Sequence, residues 1–215
     1  DAHRSSAPDG RVGSVTGEAG IGKSRLAETL VAAATADGAI TLMARAFPAE
    51  GSIAYAPIVE LLRAGFARPD AAGRLVDLAP ASLAEVERLV PLPDGLTAGA
   101  AAAGRTDSPA ARARLLEAIA TVLTATVSGP VPGIVAVEDV HWADDASREA
   151  LLYLARRLTD RPLLLLLTWR PEDLDAGTTA FVSAVGGLPA ATSVRLERLD
   201  DVVVSALVDA AAAAG

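Results

Sequence analysis

Apolar residues in this chain come in short blocks separated by polar, Gly- and Pro-bearing turns, and the blocks are of two kinds. Ile134 to Val137 and Leu163 to Thr168 are apolar without alternation, as in strands covered on both faces of a parallel sheet. Other blocks space their apolar residues three and four apart, the period of a helix face. The pattern predicts strands at Arg11–Val15, Ile40–Ala46 and Val194–Leu196 as well. Helices are predicted at Lys23–Thr35, with Leu26, Leu30 and Ala34 on the packed face, and at Ala54–Gly65, where Pro57 suits the first turn. A further helix over Ala110–Val127 carries Leu115, Ile119, Val122 and Leu123 as one buried stripe. Another runs over Asp145–Leu158, with Asp144 or Asp145 as N-cap. Alternation of strand and helix argues for an α/β sandwich around a parallel sheet.

The punctuation divides the chain further. Residues 1–10 read as a loose lead-in and 11–198 as one core domain. Within that core, 69–108 is a helical and low-complexity excursion, with short helices at Ala71–Leu78 and Ser82–Val90 and a flexible surface stretch from Gly95 to Gly104. Residues 199–215 begin a last helix near Asp200 that stops at Gly215.

Composition narrows the function classes. The chain has 215 residues, 51% hydrophobic and 21% charged, enough for one substantial core. Ala makes up about a fifth and aromatics only 3%, which points to close contacts between small side chains. A formal charge of −8, with Arg scattered among more numerous acids, argues against direct nucleic-acid contact. There is no Cys, and His3 and His141 lie far apart, so thiolate and zinc sites are not expected. No apolar run approaches the ~18 residues that span a bilayer. The start at Asp1-Ala2 lacks a signal-peptide pattern. A segment of a longer cytoplasmic protein is expected.

Gly17-Glu18-Ala19-Gly20-Ile21-Gly22-Lys23-Ser24 fits G-x-x-x-x-G-K-[ST] between a predicted strand and a predicted helix, the context this phosphate-binding loop requires. Glycines let successive N–H groups curl into one concavity, and the helix N-terminus adds positive potential there. Lys23 would neutralise β/γ-phosphate oxygens and Ser24 would join the Mg²⁺ shell. Chance alone gives such a match in on the order of one in a thousand chains of this composition. Lys23 is also the only lysine beside 18 arginines. A compact ammonium suits a tight phosphate loop better than a guanidinium fork does. Arg25, just after the loop, completes the candidate binding set, with a structural role expected.

Val135-Ala136-Val137-Glu138-Asp139 puts two acids at the C-terminal end of an apolar strand, where Mg²⁺ and the attacking water are handled in phosphoryl transfer. By position Glu138 matches the metal acid and Asp139 the base, a second candidate for the metal shell. The order of these acids is the reverse of the usual one, and the shorter base implies slow hydrolysis. His141 and Trp142 are expected to pack and cap, and Asp144 to cap a helix. Arg170 follows Leu163 to Trp169 at the ligand edge of a parallel sheet, within reach of a γ-phosphate. An ordinary ion pair with Glu172 or Asp173 is the alternative.

GEAGIGKSRL, VEDVHWADD and LLLLLTWRPED, with Gly51-Ser52-Ile53-Ala54-Tyr55-Ala56-Pro57 between them, resemble the STAND-type AAA ATPase domain. The likeness is to the module at the front of large LuxR-type bacterial transcription regulators and of some cyclase- or kinase-linked signalling proteins. It runs from about Arg11 to the end of the chain. The resemblance implies a P-loop NTPase fold of the ASCE/AAA type: a three-layer sandwich with about five parallel strands, the Arg170 strand between the P-loop strand and the Glu138 strand. It implies ATP/ADP and Mg²⁺ as cofactors, and a nucleotide-driven switch acting on other domains of the same chain and on homo-oligomerisation. The family's Gly-Arg-Glu stretch before the P-loop has no match in Asp1 to Gly10. Gly13 and Ser14 stand where the P-loop strand usually carries larger apolar residues, which is expected to weaken it. The helical and winged-helix subdomains that follow in the family are not expected within these 215 residues.

The resulting expectation is an ATP-binding and slowly ATP-hydrolysing regulatory domain of a signalling or transcription protein. A non-catalytic nucleotide-binding scaffold is the alternative. A small-molecule kinase ranks lower for want of an Arg-rich lid, and a transporter-type ATPase lower still for want of an LSGGQ-like stretch.

Overall fold

A computed structural model describes residues 10–51, 53–98, 108–159 and 161–198. Among the described residues there are five strands: Arg11–Thr16 (β1), Thr41–Arg45 (β2), Gly133–Glu138 (β3), Leu163–Trp169 (β4) and Ala191–Arg195 (β5). They form one sheet in the order β2-β3-β4-β1-β5, with every pairing parallel. The helices are Lys23–Ala36 (α1), Ala56–Phe66 (α2), Ala71–Leu75 (α3), Pro80–Glu87 (α4), Pro109–Val127 (α5), Asp145–Ala155 (α6) and Ala176–Gly186 (α7). β4 lies between β1 and β3, the arrangement expected for the Arg170 strand.

The apolar runs of β3 and β4 are buried because helices cover both faces of the sheet. Val135 and Val137 of β3 and Leu163, Leu165 and Leu167 of β4 face the larger core, with residues of α2, α5, α6 and α7. The intervening Ile134, Ala136 and Leu166 face the other way, onto Val15 and Ala27. Period-two alternation thus divides each strand between two cores. Ser108, Asp144 and Asp175 accept bonds from the main-chain amides of Ala111, Ser147 and Thr178, which fixes the starts of α5, α6 and α7.

Several expectations need correction. Leu26 and Leu30 do not form the packed face of α1 and are 39% and 40% exposed. Ala27 and Val31 meet the sheet in their place, together with Ala34 as expected. Small side chains let the helix lie close to the strands, and the leucines fall to its flanks. The stripe on α5 holds for Ile119, Val122 and Leu123, whereas Leu115 is only partly buried. α7 has no counterpart in the sequence reading, and the last strand begins at Ala191, before Val194. At Gly13 a Cβ would sit 3.4 and 3.5 Å from the side chains of Leu164 and Leu166, ordinary contact distances, so packing does not require glycine there. Within 69–108, α3 and α4 are shorter than predicted. Residues 1–9 and 99–107, and the helix expected from Asp200, lie outside the described residues. Among the described residues no helix is long and apolar enough to cross a membrane.

Candidate functional site

In a parallel sheet every strand delivers its C-terminal end to the same edge. Here that edge gathers Gly17 after β1, Arg45 ending β2, Glu138 ending β3, and Thr168 to Arg170 ending β4.

The loop after β1 turns through Gly17 (φ 152°), Gly20 (φ 73°) and Gly22 (φ 106°), the last being the N-cap of α1. Gly17 is required twice over. Its φ disfavours any side chain, and a Cβ would lie 2.8 Å from the Leu196 carbonyl oxygen and 2.9 Å from Ile21 Cγ2. A Cβ at Gly20 would meet no protein atom within 4 Å, so its conformation needs glycine while the space beside it stays open. Lys23, almost fully buried, folds back across the loop and donates from Nζ to the carbonyl oxygens of Gly17 and Glu18, each at 2.8 Å. One of its three N–H groups is left for an anion. Burial first, and then the Arg170 charge, hold this ammonium below its ordinary range.

Across from the loop, Glu138 is buried at the end of β3. Asp139 follows in left-handed conformation (φ 53°, ψ 43°), and its N–H donates to Thr168 Oγ1 at 3.0 Å. That bond turns the chain so that the Asp139 carboxylate lies between two guanidinium groups. Arg45 Nε is 3.6 Å from its Oδ2 and Arg170 Nε 4.0 Å from its Oδ1. Arg170 also pairs with Asp173 at 3.4 Å, so the ion-pair alternative and the position at the site edge hold together. Arg45 NH2 further reaches Ser24 Oγ at 2.6 Å and Glu138 Oε2 at 3.0 Å.

The structure therefore brings together Gly17 to Ser24, Glu138, Asp139 and Arg170. Arg25 lies exposed in the first turn of α1. His141 is buried, tilted against Trp142 at 4.9 Å between ring centroids, with Asp173 at 3.7 Å. Burial pushes its pKa below the usual value. Asp144 caps α6 and also accepts from the Tyr55 N–H at 3.0 Å.

Two participants escaped the sequence reading as members of the site. Arg45 ends an apolar strand at the ligand edge, the same signal that marks Arg170. Glu172 Oε1 accepts from the Ala19 N–H at 3.0 Å, placing a carboxylate on a phosphate-loop amide. Main-chain amides, its own first and then that of Ala19, hold Glu172 below the usual carboxylate range. A cleft of about 760 Å³ opens beside the loop, between Gly17 to Ile21, Glu172 and Arg195 to Arg198.

Among the described residues no three His, Cys, Asp or Glu side chains converge on one point. Mg²⁺ does not require that, since it usually takes one or two protein oxygens and completes its shell with phosphates and water. Ser24 and Glu138 offer hard oxygen donors of that kind. Among the described residues, the buried Glu138 Oε1 has no hydrogen-bond partner, so the donor set fits such an ion.

The family model described as "AAA ATPase domain" matches residues 1–167. An uncharacterized protein of Rhizobium meliloti (strain 1021) is 51% identical over 41 residues, which are 19% of this chain and 4% of that one. Among solved structures, Drosophila ORC bound to GC-rich DNA and Cdc6 gives a TM-score of 0.40 at 10% identity. That match covers 89% of this chain and 50% of the other. A KaiC-like protein from the hyperthermophilic archaeon Pyrococcus horikoshii OT3 gives 0.39 at 16%, covering 90% and 76%. The chain thus spans half of the fly chain and a small part of the Rhizobium protein.

Proposed function

Given that the chain belongs to the AAA ATPase domain family, we propose that its phosphate-loop edge binds ATP with Mg²⁺ and serves as a slowly hydrolysing regulatory switch. The observation that carries this is the Lys23 ammonium folded into the glycine loop, opposite Ser24 and the Glu138–Asp139 pair. Main-chain amides of Gly20 to Ser24 and the Lys23 ammonium hold the phosphates. Ser24 and Glu138 would hold the metal, which would supply neutralisation of the phosphate charge. Asp139 orients the water, and Arg170 answers to the γ-phosphate and couples it to β4.

The wider reading extends from this site. The chain acts within a longer cytoplasmic protein of the LuxR-type STAND kind, residues 11–198 being the core domain. Nucleotide state is passed to neighbouring domains and to a homo-oligomer. Titration with a fluorescent ATP analogue tests the nucleotide site. Saturable, Mg²⁺-dependent binding displaced by unlabelled ATP is expected, and its absence refutes the reading.

One observation favours the scaffold alternative: the Asp139 carboxylate is already held between Arg45 and Arg170. Phosphate release from Mg-ATP separates the two. Turnover supports the switch, and tight binding with no release supports the scaffold.

A further inference from the structure

We infer that Arg45 is a resident counter-cation of the metal-binding oxygens, competing with a divalent ion for Ser24 and Glu138 and released when that ion binds. The inference rests on the reading of this edge as a nucleotide–metal site. The parallel register places Arg45 directly opposite Glu138, so the guanidinium reaches over the end of β3. From there its NH2 contacts Ser24 Oγ at 2.6 Å and Glu138 Oε2 at 3.0 Å, with Asp139 Oδ2 3.6 Å from Nε. These are the oxygens assigned to the metal.

Mg²⁺ holds its oxygen ligands at about 2.1 Å. An ion bound to both Ser24 and Glu138 would occupy the space that the Arg45 NH2 group fills, so the two cations exclude each other sterically as well as by charge. Removing the arginine leaves Glu138 buried and Asp139 beside it with less compensating charge, and that arrangement attracts a divalent ion. Departure is open to Arg45. Its side chain is 39% exposed and, among the described residues, is held by Ser24, Glu138 and Asp139 alone, while its main-chain N–H donates to Glu60 Oε2 at 3.1 Å. Arg45 is therefore a positioning residue that makes metal loading and the movement of one side chain at the end of β2 a single event.

The test is Mn²⁺ binding followed by the electron paramagnetic resonance of the free ion, on the 215-residue chain, without nucleotide and then with ATP. Arg45→Met is expected to bind Mn²⁺ about two- to fivefold more tightly than wild type in both series, the scale of one released, partly exposed ion pair. Equal or weaker Mn²⁺ binding by Arg45→Met overturns the inference. Weaker binding seen only with ATP would make Arg45 a phosphate ligand, which also overturns it. Should Arg45→Met fail to fold, Arg45→Gln keeps a polar head without the charge and carries the same expectation. If wild type binds no nucleotide, the nucleotide reading falls, while the nucleotide-free Mn²⁺ series still decides the role of Arg45.

Discussion

The phosphate loop contains two glycines whose replacement by alanine should have unequal effects, and the inequality follows from geometry. Gly20 has φ 73° and open space where a Cβ would go. Alanine there bears only the left-handed penalty, ~1–2 kcal/mol, partly offset by ~0.4–1 kcal/mol from a stiffer unfolded chain. A net loss of about 1 kcal/mol results. Gly17 has φ 152°, a region that is essentially glycine's own, at ~1–3 kcal/mol. Its Cβ would also collide with the Leu196 carbonyl oxygen at 2.8 Å. That carbonyl cannot shift freely, since the Leu196 N–H donates to the Thr16 carbonyl at 2.7 Å. Forcing it aside adds ~1–3 kcal/mol, so Gly17→Ala should cost about 3 kcal/mol or more. For a domain of this size each kcal/mol lowers Tm by about 2–4 °C. Calorimetric melts should show Gly17→Ala roughly 6–12 °C below wild type and Gly20→Ala only about 2–4 °C below. Equal losses in the two variants would refute the argument that Gly17 is set by contact with the chain after β5.

Other outcomes follow from single contacts. Thr168→Val removes the acceptor of the Asp139 N–H and should cost ~1–3 kcal/mol in denaturant unfolding, whereas Thr168→Ser, which restores the hydroxyl, should recover most of it. Asp175 caps α7, accepting from the Thr178 N–H at 2.6 Å, and this bond is the main cause holding its carboxyl below the ordinary value of 3.8. Its folded pKa being depressed, the cap's contribution is complete above about pH 4 and lost as pH falls through the folded value. Asp175→Ala should therefore be about 1 kcal/mol less stable at pH 7, with the gap closing in unfolding curves taken toward pH 2. Gly133→Ala would put a Cβ 2.3 Å from the Val127 carbonyl oxygen, where α5 ends beside β3. A melt lowered by about 5 °C or more is expected.

What could be read from the chain beforehand was whatever depends on neighbours in sequence. The glycine spacing from Gly17 to Gly22, the β-branched run Ile134 to Val137 and the leucines Leu163 to Leu167 state their conformations locally, and the structure has them as the turn after β1 and as β3 and β4. α7 was illegible because its buried face is Thr178, Phe181 and Val185, two β-branched residues and one aromatic among glycines and threonines. Such a composition reads as loop or strand. α1 misled in the opposite sense. Its leucines look like core, but the sheet accepts Ala27, Val31 and Ala34, at helical spacing one position round. Arg45 joins the site only through the register that sets it opposite Glu138 and the fold that returns it to Ser24. No local pattern records that pairing. The contact between Glu172 and Ala19 is of the same kind, made by β4 lying next to β1.

The central claim is that one ammonium inside one glycine loop holds a nucleotide's phosphates. Calorimetric titration of Mg-ATP into wild type and Lys23→Ala, both shown to be folded by their melts, tests it most directly. The account predicts saturable binding by wild type and a loss of at least about tenfold in the variant, the scale of one charge-assisted contact to phosphate. Equal affinities in the two proteins would contradict it.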